Sequence, residues 1–108
     1  MIRWSPAPPA RSGCPHRRLH RLLERELPPG LSLGASTLRP WASANFLGAR
    51  HLFPCNAAIG DAATLCRALH DRLSTIEWRL PGHIVADVAV EPADTSGSLR
   101  IEILTVED

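Results

Sequence analysis

The clearest hydrophobic pattern in the chain lies over residues 61–76. Ala62, Leu65, Cys66, Leu69, Leu73 and Ile76 recur at the spacing of one helix face. Asp61 stands just ahead of them, where a carboxylate can accept from the free N–H groups of a first helical turn. The spacing predicts an amphipathic helix. Leu80 continues the stripe up to Pro81-Gly82, so residues 76–80 either finish the helix or cross to a sheet.

A second, shorter helix is predicted over residues 15–27. Pro15 suits a first helical position, where its missing N–H costs nothing. Leu19, Leu22, Leu23 and Leu27 share one face, and Arg17, Arg18, Arg21, Glu24 and Arg25 take the other. Pro28-Pro29-Gly30 stops it.

Strand signals fill the rest. His83–Glu91 and Leu99–Val106 both alternate, and the turn region between them ends in Gly97, so the two should pair as an antiparallel hairpin. Alternation in the first places Ile84, Ala86, Val88 and Val90 on one face and Val85, Asp87, Ala89 and Glu91 on the other. Leu31–Ser36 reads as a half-buried strand broken by Arg39-Pro40. Residues 42–53 read as another strand, with Ala44, Phe46 and Leu52 toward the core, a bulge at Gly48 and an end at Pro54.

The element order is therefore α-β-β-α-β-β with short connections. The simplest α+β solution is a four-stranded antiparallel sheet with both helices on one face. A ferredoxin-like sandwich with permuted order is one such arrangement. At 108 residues there is room for one domain, taken as residues 15–108. Residues 1–14 are Pro- and Ala-rich and read as an extended arm, in which Trp4 alone has a reason to dock.

Composition narrows the chemistry. All 12 basic residues are arginine. Lysine Schiff bases and phosphate-loop lysines are thereby excluded. This arginine, alanine and proline usage suggests a GC-rich, bacterial source. Net charge is +1, but residues 1–30 carry +4 and residues 84–108 carry −5. Attraction between the two ends of one fold, or of two subunits, accounts for this better than a nucleic-acid-binding arm does.

Cys14, Cys55 and Cys66 form neither a disulfide framework nor a CxxC pair, which fits reduced thiols in a cytoplasm. The N-terminus has no apolar segment of the secretory type, and no run approaches the roughly 20 apolar residues that span a bilayer.

Candidate sites are few. Cys14, His16 and His20 are the one local cluster of metal-ligand types, yet no further ligand is near in sequence and arginines surround them. Surface histidines on a basic helix are the simpler account, and no metal or cofactor is expected. Cys66, on the apolar stripe with His70 one turn away, reads as a small buried hydrophobe. Arg17, Arg18 and Arg21 lack the interleaved aromatics and companion motifs of a nucleic-acid binder. GxGxxG, Walker, GxSxG and HExxH motifs are absent from the sequence.

Arg50 and His51, late in one strand, and His83 and Asp87, in another, form the best ligand-binding candidate. If the strands neighbour each other, this set could handle a proton or bind an anion. The competing account makes all four the solvated polar positions of alternating strands. Two functions follow from different classes. One is a non-catalytic binding or assembly domain, expected to be a homodimer, which covers an open sheet face bearing Val85, Ala89, Leu104 and Val106. The other is a small enzyme or anion-binding domain built on Arg50, His51, His83 and Asp87.

Overall fold

A computed structural model describes residues 14–58, 61–93 and 97–108. The expected arm, Cys14 apart, and Trp4 within it lie outside the described residues. The elements run α1 (His16–Glu26), β1 (Leu31–Leu33), β2 (Thr37–Ala42), β3 (Leu47–Ala57), α2 (Ala62–Thr75), β4 (His83–Pro92) and β5 (Ser98–Glu107). The architecture is α+β, with two helices against one antiparallel sheet.

α2 forms where its stripe predicts. The Asp61 side chain accepts from the Thr64 N–H at 3.2 Å and from the Thr64 hydroxyl at 2.7 Å. Cys66, Leu69 and Leu73 are its buried residues. The helix stops at Thr75, and Ile76–Leu80 crosses to the sheet with Leu80 buried and Trp78 packed on the core. Replacing Asp61 by alanine is expected to lower the thermal midpoint by a few degrees, whereas Asp61→Asn retains most of the cap. Circular-dichroism melts of the two variants check this.

The sheet has five strands: β1 and β2 lie end to end along one edge of β3, followed by β5 and then β4. Along that edge the sequence reading places a single strand, Leu31–Ser36, ended by Arg39-Pro40. Instead the break falls at Gly34–Ser36, and Arg39-Pro40 lies within β2. β2 is an edge strand, where a proline's missing donor costs little.

Pro54 likewise does not end β3, which runs on to Ala57. Its carbonyl accepts from the Gly34 N–H at 2.7 Å, so the side that lacks a donor faces the break between β1 and β2. The longer strand also changes the face assignment. His51, Phe53 and Cys55 point to the core, whereas Leu52 belongs to the opposite face and Phe46 is 56% exposed beside the β2–β3 turn.

β4 and β5 pair as expected around Gly97, whose φ of +81° suits a residue without Cβ. A bulge between Val85 and Asp87 shifts the alternation of β4 by one residue. Val85, Val88 and Val90 therefore all pack against the core, and Ile84 and Asp87 turn outward. Val85, expected on the open face, is thus a core residue.

Both helices cover the same face. Leu19 and Leu23 of α1 and Leu69 and Leu73 of α2 bury themselves with Phe53, Leu99, Ile101 and Ile103. Among the described residues no helix is long and apolar enough to cross a membrane.

Candidate functional site

Two regions carry chemistry, one on each face of the sheet. The first is a chain of polar groups beneath α1. His16 opens that helix on the face that also carries Leu19 and Leu23. His51 shares its parity in β3 with Phe53 and is fully buried. The two rings meet Nδ1 to Nδ1 at 2.9 Å. His16 Nε2 lies 2.8 Å from the Ser36 hydroxyl, and His51 Nε2 lies 2.9 Å from the Thr105 hydroxyl. Thr105 is also fully buried, and its hydroxyl donates to the Ala49 carbonyl at 3.4 Å.

That last bond sets the direction of the others. With the Thr105 proton on Ala49, Thr105 Oγ1 accepts from His51 Nε2–H. His51 Nδ1 is then an acceptor and receives the His16 Nδ1–H, which leaves His16 Nε2 to accept from the Ser36 hydroxyl. Each contact in this scheme has one proton, and both imidazoles are neutral. Burial and the neighbouring His16 and His83 push the His51 pKa down to about 4. Burial and then His20 lower that of His16. The rings stack as well: His16 lies 5.1 Å from Phe53 at an interplanar angle of 11°.

These positions correct the sequence expectation for both residues. His16 is half-buried and bonded rather than a surface histidine, and His51 is a buried strand residue rather than a solvated one. The helical spacing of His16 to Leu19 and Leu23, and the strand parity of His51 with Phe53, were the available signals. Thr105 borders a small cavity of about 170 Å³, also lined by Cys14, Leu38, Ala49, His83 and Glu107. Among the described residues no group of three or more His, Cys, Asp or Glu is placed to hold a metal ion. Cys55 and Cys66 are both buried, and burial raises the Cys55 thiol to about 11.

The set Arg50, His51, His83 and Asp87 does not converge. His51 and His83 lie on the helix-covered face, and Arg50 and Asp87 on the other. Arg50 instead pairs with Glu102 at 2.5 Å.

The second region is that other face, which neither helix covers. The strand registers arrange it in rows. Trp41, Gly48, Val106 and Ile84 form an apolar row across β2, β3, β5 and β4. The next row is Arg39, Arg50, Leu104 and Asp87, followed by Thr37, Leu52, Glu102 and Ala89. Pro54, Arg100 and Glu91 follow, with Arg100 bonded to Glu91 at 2.9 Å. Ile84 is 52% exposed. The Trp41 ring lies over Gly48, and its indole nitrogen is buried with no hydrogen-bond partner among the described residues. Alternation predicted the β5 residues of this face, but the role of β2 and the place of Ile84 depended on the edge break and the bulge.

Compared with known proteins, the chain matches no family model, no curated protein and no solved structure.

Proposed function

We propose that this chain is a non-catalytic assembly domain that forms a homodimer through the uncovered face of its sheet. The apolar row Trp41, Gly48, Val106 and Ile84 carries the reading, extended by Leu104 and Leu52 in the rows beside it. A contiguous apolar surface of this kind marks an interaction site more often than a solvated face. Division of Arg50 and Asp87 from His51 and His83 removes the geometric basis for a single Arg/His/Asp site.

Three further features support the setting. All three cysteines are free, which suits a reducing compartment such as the cytoplasm. The edge strands carry Pro40 and the β4 bulge, devices that discourage edge-to-edge addition and leave the face as the surface for association. The strand order also supports a ferredoxin-like sandwich whose first strand has moved to the end of the chain.

Sedimentation velocity at micromolar concentration tests the proposal. The expected result is a dimer, converted to a monomer with an unchanged circular-dichroism spectrum by Val106→Glu. A wild-type monomer overturns the reading.

A further inference from the structure

We infer that the second copy docks across a two-fold axis that runs parallel to the strands, between β3 and β5, so that Arg39 of one copy meets Asp87 of the other. The inference rests on the assembly reading and adds its geometry.

Charge on the open face is graded across the sheet. Arg39 and Arg50 occupy the β2–β3 side, and Asp87 and Glu91 occupy β4 at the far edge. Arg50 and Glu91 are already matched within the chain, by Glu102 and Arg100. Arg39 and Asp87 form no ion pair among the described residues. They are the two ends of one row, Arg39–Arg50–Leu104–Asp87.

A two-fold axis along the strands exchanges the two edges of the sheet but keeps every row at its own height. Each row then faces its own reverse. Arg39 stands opposite Asp87, Arg50 opposite Leu104, and Trp41 opposite Ile84. The apolar row meets itself, and each free charge meets its opposite, twice per dimer. Such an axis also leaves the strands of the two sheets nearly aligned, as in face-to-face sheet packing.

The other in-plane axis, across the strands, does worse on both counts. It lays the β2 edge of one copy on the β2 edge of the next, so at no height does it bring Arg39 to Asp87. Placed at the Arg39 row it sets Arg39 against Arg39 and Asp87 against Asp87; placed midway along the face it sets the apolar row against the end that carries Arg100 and Glu91. Isologous contacts must be self-complementary, and only the axis along the strands makes this face so.

Charge reversal tests the register. In sedimentation equilibrium, Arg39→Asp and Asp87→Arg should each weaken the dimer by about tenfold or more, since each variant sets like charges together at two places. The double variant Arg39→Asp/Asp87→Arg restores both pairs with reversed sense and should return close to the wild-type dissociation constant. All three changes lie on the surface, and circular dichroism confirms the fold of each variant. If the wild type dimerises but the single changes leave it unaffected, or the double change is no better than either, this register is wrong while the assembly reading stands. A wild-type monomer overturns both.

Discussion

Acidification from pH 7 to pH 4 is expected to cost the fold about 3 kcal/mol through His51. In the unfolded chain this histidine titrates near its ordinary value of 6.5, and in the folded chain near 4. Between those values the unfolded state takes up a proton that the native state refuses. The stabilisation is therefore complete above 6.5 and is lost as the pH falls toward 4. His16, also lowered by burial, adds to the loss with the same sign.

The cause is local. Among the described residues, the polar side chains that face His51 are other histidines and a hydroxyl, with the Phe53 ring stacked beside them. His16 and, beyond it, His20 approach from α1, His83 from β4, and Thr105 from β5. A proton added to His51 Nδ1 would confront the His16 Nδ1–H at 2.9 Å, so the chain must break or His16 must give up its proton. Urea denaturation at the two pH values measures the effect. His51→Gln can still donate to Thr105 and accept from His16, but it does not titrate, so most of the acid sensitivity should vanish with it. Equal wild-type stability at both pH values would show that the buried pair is not neutral.

The same residues show what the sequence made legible. Helical stripes placed α1 and the start of α2 to within a residue or two, because a period near 3.6 survives small errors of phase, but left the end of α2 open as far as residue 80. The β4–β5 hairpin was equally readable, since its alternation is long and its turn carries Gly97. Strand faces were less so, because a shift of one residue exchanges the two faces. Ending β3 at Pro54 set its phase by Phe46 and Leu52, which hid His51 and Phe53 from the core. The β4 bulge did the same for Val85 and Ile84. Neither event has a local sequence mark. Pro54 is tolerated only because a neighbouring strand is interrupted beside it, and that interruption is a tertiary fact.

The two faces of the sheet thus do different work with similar residue types. On the inner face, polar side chains are few and each has a partner, which is the condition for burial without a large penalty. On the outer face, Arg50 and Glu102 pair in partial exposure, where an ion pair adds little stability. In the proposed dimer its charges would matter more for orienting the second copy than for holding the chain together. The bulge at Ala86 links the two roles. It turns Val85 into the core and, in the same step, puts Ile84 on the outer face that Asp87 already occupies.

Gly48→Ala is expected to destabilise the chain by about 3 kcal/mol, the upper end of the usual cost of overpacking. Gly48 needs no special φ; the constraint is space. A Cβ there would collide with the backbone carbonyl oxygen of Thr105 and would lie 2.9 Å from two carbons of the Trp41 ring. The ring can swing aside. The carbonyl cannot move without distorting the β3–β5 ladder, and Thr105 also anchors the histidine chain through its hydroxyl. Gly34→Ala is the control, because its Cβ would meet only ordinary contacts, the nearest being the Pro54 carbonyl oxygen at 3.7 Å. Urea denaturation should therefore separate two changes of identical chemistry by about 3 kcal/mol. Equal stability of the two variants would show that β3 and β5 are not held this close at Gly48. The substitution also reaches the outer face. Displacing Trp41 from its seat over Gly48 disrupts the apolar row, so the Gly48 variant should dimerise more weakly than the Gly34 variant even where both remain folded.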